Sequence, residues 1–146
     1  MTTNAPTDLP DLAAELRVGV GRLHRRLRHQ RGTVDLPDHL VAVLGLLNRA
    51  GALTPGALAE HECVRPPQMT RSVNALVESG YVAKMPHPSD GRQVVVEITD
   101  AGRDELVELR RRRDEWLAAQ LATLDDADRQ VLEQAAHILQ RMAGGR

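Results

Sequence analysis

The sequence predicts a mainly α chain with a small β-hairpin wing: a winged helix-turn-helix flanked by N- and C-terminal dimerisation helices. Three observations predict it. Apolar residues return every three or four positions through most of the 146 residues, the rhythm of amphipathic helices. That rhythm stops once, at PHPSDGRQVVVEIT (86–99), where a Pro/Gly/Asp turn runs into an apolar strand. The helices at both chain ends carry apolar stripes too long for the small middle portion to cover, so a second copy of the chain is their natural cover. The expected division is 1–35 for an N-terminal arm and dimerisation helix, 36–99 for the winged lobe and 100–146 for C-terminal dimerisation helices, within one single-domain protomer.

Residues 1–8 are polar and hold Pro6, an expected disordered arm. A first helix is expected over 8–31, where Leu9, Leu12, Leu16, Val20, Leu23 and Leu27 form one stripe. Gly19 and Gly21 weaken it, and Gly32 ends it. Asp35, with Asp38 three residues on, gives a capping-box-like start to a second helix, with Leu40, Val43, Leu44 and Leu47 inward and Gly51 as its stop. Thr54-Pro55 is an N-cap followed by proline at the first helical position, opening a short helix over 55–62. Pro66 and Pro67 are tolerable only in a first turn, so another helix begins there and stops at Gly80. Residues 81–85 and 93–99 are β-type and form the hairpin. Thr99 caps a long helix over 100–123 whose stripe is Leu106, Leu109, Trp116, Leu117 and Leu121. Asp125 and Asp128 cap a last helix to about 142, with Val131, Leu132, Ala135, Ile138, Leu139 and Met142 inward.

Composition narrows the function. Trp116 and Tyr81 are the only aromatics, too few for a surface that stacks single-stranded bases. Net charge is −1, which argues against a general nucleic-acid coat. The charge is nonetheless segregated. Six Arg and no acid lie between Leu16 and Val34, whereas Asp125, Asp126, Asp128 and Glu133 cluster late. One cysteine, Cys63, excludes an internal disulfide and points to a reducing compartment. The N-terminus lacks the basic-then-apolar pattern of a secretory signal, and no run of about 18 apolar residues exists. A cytoplasmic location, with no membrane partner, is expected. No G-x-S-x-G, phosphate-binding glycine loop or paired carboxylates suggest an enzyme.

The chemistry lies in the middle. On the helix beginning at Pro66, Met69, Val73, Leu76 and Val77 share a face expected to pack inward. The opposite face shows Pro67, Arg71 and Asn74, flanked by Gln68 and Thr70. A helix entering the major groove offers its N-terminal residues to base edges. Arg grips guanine in a bidentate way, and Asn or Gln grips adenine. The bland reading is an amphipathic helix whose polar side is merely solvated; the short helix before it and the hairpin after it favour the groove. In SDGR, glycine permits the turn, and Asp90 is placed to pair with the Arg92 guanidinium and aim it. An arginine so held suits the narrow, negative minor groove. The bland reading there is an incidental surface ion pair.

These residues resemble the MarR (multiple antibiotic resistance regulator) family. DGRQVVVEITDAG looks like its D-x-R…L-T-x-x-G wing signature. ALTPGALAEHECVRPPQMTRSVNALVESGYV resembles its helix-turn-helix, including Leu58-Ala59, Thr70-Arg71, Leu76 and Gly80. The chain departs at Arg65, where the family often has a serine cap, and at Pro67, where a small polar residue is common; Arg65 is then an added phosphate contact. The resemblance implies a homodimer on a pseudo-palindromic double-stranded operator, with recognition helices in successive major grooves and wings in the flanking minor grooves. It implies a repressor released by a small aromatic or phenolic ligand held between the dimer helices and the DNA-binding lobe, where His24, Arg28, His39 and Trp116 are candidate lining residues. No cofactor is implied.

Other features have plainer readings. His61, Glu62, Cys63 and His87 lack the spacing of a metal site. A thiol-based redox sensor using Cys63 is one alternative function, and a winged-helix architectural DNA protein is another; Cys63 itself reads as a small half-buried residue. The run 110–113 of arginines reads as a solvated face with i, i+4 pairs to Glu105, Glu108, Asp114 and Glu115. The basic stretch 17–31 is expected to pair with the acidic start of the last helix across a dimer, or to face DNA phosphates.

Overall fold

A computed structural model describes residues 8–30 and 36–144. Its elements are α1 (Leu9–Arg28), α2 (Asp38–Ala50), α3 (Pro55–His61), α4 (Pro66–Glu78), β1 (Val82–Pro86), β2 (Val94–Ile98), α5 (Asp100–Ala122) and α6 (Asp126–Ala143). Mainly helical architecture with one hairpin is what the periodicity predicts. All but Asp8 of the expected arm over 1–8, the Gly32 stop and the Asp35 cap lie outside the described residues. α1 ends at Arg28 rather than at about 31, with the His29 N–H bonded to the Arg26 carbonyl and the Gln30 N–H to the Leu27 carbonyl. α2 begins three residues later than Asp35, after Pro37, and has no side-chain cap. Pro37 cannot donate an N–H, so it sits at a helix edge rather than inside a helix.

Elsewhere the caps are as the residue types dictate. Thr54 accepts from the Ala57 N–H at 3.2 Å, Thr99 from Gly102 at 3.2 Å and Asp125 from Asp128 at 2.8 Å. Gly51 (φ +82°) and Gly80 (φ +76°) end α2 and the α4 turn in the left-handed region where glycine is cheap.

α2, α3, α4 and the hairpin enclose the core. Leu44, Leu58, Leu76 and Val96 are fully buried, and Met69 and Leu47 nearly so. The strands pair antiparallel, Val82 opposite Ile98 and Lys84 opposite Val96. Leu53 adds an isolated bridge to Val96, with N–H···O bonds of 3.1 and 2.7 Å in the two directions. This third rung, which ties the α2–α3 connection to the wing, has no two-residue period long enough to be read from sequence.

Two expectations about facing need correction. On α4 the inward side is Met69, Ser72, Val73 and Leu76, while Val77 is 38% exposed. At about 100° per residue, Ser72 and Val77 fall on opposite flanks of Leu76, and the core lies on the Ser72 flank. The stripe of α6 does not face inward in the protomer: no residue of α1 or α6 is buried, and Val131 and Met142 are more than 60% exposed.

Candidate nucleic-acid interface

Among the described residues, the one non-glycine residue with a positive φ is Cys63 (φ +52°), between α3 and α4. Its N–H bonds the Glu60 carbonyl, and the Val64 N–H bonds Ala59. The strained residue closes the tight turn that sets α4 against α3. Cys63 is exposed, not half-buried as its residue type suggests. Its sulfur faces the Glu60 carbonyl at 3.7 Å.

α4 starts at Pro66 with Arg65 as an N-cap whose side chain makes no cap bond. Pro67, Gln68, Thr70, Arg71 and Asn74 are all exposed. Thr70 donates to the Pro66 carbonyl of its own helix at 3.0 Å. Asn74 is engaged: its Oδ1 accepts from Lys84 Nζ of β1 at 2.7 Å. That bond sets the exposed face of α4 side by side with the wing. Lys84 was not among the residues the sequence singled out. Nothing in a β-strand pattern tells which neighbour an exposed lysine will reach.

The wing tip is a built turn. The Gln93 N–H bonds the Asp90 carbonyl and the His87 N–H bonds the Gln93 carbonyl, both at 3.0 Å. His87 Nδ1 accepts from the Ser89 and Asp90 N–H groups at 3.2 Å. Asp90 does not pair with the Arg92 guanidinium as expected. Its carboxylate accepts instead from the Arg92 backbone N–H at 3.1 Å. With one residue between them, a short aspartate reaches the near backbone before a long, mobile side chain. Asp90 therefore shapes the loop, and the exposed Arg92 side chain projects from a fixed backbone.

Thr99 joins the wing to α5. It donates to the Gly80 carbonyl at 2.6 Å while capping α5. Gly102 packs so closely that a Cβ there would lie 2.3 Å from the Tyr81 carbonyl oxygen. This is the glycine of the wing signature, and the close approach is its physical reason.

Away from this surface, α1, α2 and α5 enclose a crevice of about 380 Å³ lined by His24, Arg28, Asp38, His39 and Arg113, with Val41 and Ala42. It gathers three of the four residues singled out for an effector. Trp116 lies one turn beyond Arg113 on α5 and is not in the lining. Arg28 is ion-paired to Asp38 within the chain, which alters the expectation that the basic stretch looks only outward. Arg113 is the larger correction. Within the arginine run, Arg111 and Arg112 do pair with Glu108, whose carboxyl their hydrogen bonds hold down at about 2. Arg113 is half-buried, and its Nε is buried with no hydrogen-bond partner among the described residues. The signal was present: Arg113 falls on the Leu106, Leu109, Leu117 stripe. A second, strongly apolar groove of about 390 Å³ runs between α1, α5 and α6, with Leu23, Leu121, Leu132 and Leu139 on its walls.

A family model, MarR family, matches residues 38–94. An HTH-type transcriptional regulator of Mycobacterium tuberculosis (strain CDC 1551 / Oshkosh) is 43% identical over 128 residues, covering 88% of this chain and 90% of that one. The crystal structure of a candidate transcriptional regulator from Pseudomonas aeruginosa superposes with a TM-score of 0.82 at 31% identity, over 97% of this chain and 99% of the other. The S. aureus MepR F27L mutant, solved bound to an oligodeoxyribonucleotide, shares the fold with a TM-score of 0.69 at 16% identity, over 91% and 96%.

Proposed function

The chain belongs to the MarR family of transcription regulators, and from that premise we propose that it acts as a homodimeric repressor of a pseudo-palindromic operator, released by a small aromatic or phenolic acid. The observation that carries the DNA reading is the single surface made by α4 and the wing. Gln68, Thr70, Arg71 and Asn74 stand exposed on the helix, and β1 is bonded to that same face through Lys84. In this reading Arg71 and Gln68 read base edges in the major groove, Arg65 and Thr70 contact phosphates beside Pro67, and Arg92 enters the minor groove from the loop that Asp90 shapes.

The apolar faces of α1 and α6 support the dimer. Leu12, Leu16, Leu23, Leu132 and Leu139 are each 38–45% exposed, on two helices that contribute nothing to the protomer core. Faces of that kind mark an interface. The crevice supports the effector. His24, Arg28, His39 and the unpartnered Arg113 Nε suit a carboxylate or phenolate, while Val41 and Ala42 suit an apolar ring. A ligand there touches α1, α2 and α5, the elements connecting dimer helices to the DNA-binding lobe. Binding the wrongly spaced state about 100-fold better supplies roughly 2.7 kcal/mol of coupling.

Selection of duplexes from a random pool, followed by a screen of phenolic acids on the winning site, tests this. A palindromic winner whose binding falls with one of the acids is expected, and Arg71→Ala should lose about 1–3 kcal/mol at one base position. Recovery of no preferred sequence would refute the regulator reading in favour of an architectural one.

A further inference from the structure

Lys84 is the single lysine of the chain; the other 18 basic residues are arginines. It stands exposed on β1 and donates to Asn74 Oδ1 at 2.7 Å, across from the wing to the proposed reading face of α4. We propose that Lys84 determines the base specificity of Asn74, turning it from a reader of adenine into a reader of acceptor-only edges such as guanine N7/O6 or thymine O4. The inference rests on the DNA reading above and concerns one position within it.

The chemistry runs from the donors. An ammonium has three donors and no acceptor, so the amide atom it faces must be the oxygen. The amide is then fixed with Oδ1 toward the wing and Nδ2 away from it. An asparagine reads adenine by accepting from N6–H₂ while donating to N7. Here one lone pair of the accepting end is already taken by Lys84, and a positive charge sits beside the other. A base amino group brought to that end would meet the ammonium donor to donor. Adenine and cytosine, which present amino groups in the major groove, are disfavoured; guanine and thymine, which present only acceptors there, match the outward NH₂. A compact point charge on a flexible stem suits this end-on contact better than a planar guanidinium fork, which would spread its donors across several acceptors.

The test compares base frequencies selected from a random duplex pool by the parent, Lys84→Met, Asn74→Ala and the double variant, at one salt concentration. Met keeps the stem and removes the donors, and an exposed site leaves folding intact, as circular dichroism verifies. Asn74→Ala should flatten the preference at one position of each half-site, where the parent selects guanine or thymine. Lys84→Met should shift that same position toward adenine by about tenfold relative to the parent, and in the Asn74→Ala background it should shift nothing there. Three results would overturn the proposal: a parent preference for adenine or cytosine at the Asn74-dependent position, an Asn74→Ala profile identical to the parent's, or a Lys84→Met variant that binds every sequence more weakly by one common factor with its profile unchanged. In each of these the parent still selects an operator, so the DNA reading stands. A parent with no sequence preference at all removes both.

Discussion

Adding one methyl group at Gly102 is expected to destabilise the protein, although the same change in a helix interior is ordinarily favourable. Gly→Ala gains up to about 1 kcal/mol of helix propensity. At Gly102 the new Cβ would lie 2.3 Å from the Tyr81 carbonyl oxygen and 2.8 Å from Ile98 Cγ1. Neither atom is the loose end of a long side chain. The carbonyl is held by the Thr99 N–H at 3.0 Å, so relief requires α5 to move off the wing. That displacement costs roughly 1–3 kcal/mol as overpacking and strains the Thr99 cap, worth about 1 kcal/mol. The balance is a loss of roughly 1–3 kcal/mol, or about 3–9 °C in Tm for a chain of this size. Gly45→Ala is the control. It lies inside α2, and its Cβ would meet only the guanidinium end of Arg49, at 3.3 Å. It should raise Tm by up to about 3 °C. Thermal unfolding followed by circular dichroism, at one fixed protein concentration because the proposed dimerisation would couple to Tm, reads both. A Gly102→Ala protein as stable as the parent would refute the claim that the wing and α5 are locked at this contact.

Arg92→Ala should weaken duplex binding and lower the slope of log K against log salt by about one per wing; an unchanged slope measured by titration would take the wing off the DNA. If α6 forms the proposed subunit interface, Leu132→Asp with Leu139→Asp, at positions 45% and 38% exposed in the protomer, should yield a monomer or an aggregate by light scattering. A dimer of undiminished affinity would place the subunit interface elsewhere.

Much of the fold was legible because it rests on local rules. Thr54, Thr99 and Asp125 cap helices because a side-chain oxygen answers an orphan N–H a few residues on, whatever the rest of the chain does. Gly51 and Gly80 stop helices because only a residue without Cβ takes a positive φ cheaply. The polar face of α4 followed from its period. The errors share one physical origin. Val77 and Ser72 flank the same stripe, and only the position of the core decides which is buried. Asp90 and Arg92 are near enough to pair, yet the backbone N–H was nearer. Arg113 looked like one of four solvated arginines, and α1 packed against α5 draws it into a crevice.

By itself the sequence determined the order and type of elements, the helix-turn-helix and hairpin signature, and the residue types on offer at the proposed reading surface, since each depends on contacts spanning a few residues. Only the tertiary structure decided which of these side chains meet: Lys84 with Asn74, Gly102 with the Tyr81 carbonyl, and His24, Arg28, His39 and Arg113 around one crevice. Such meetings join elements distant in the chain, and their geometry depends on how whole helices pack, which no local pattern of residues encodes.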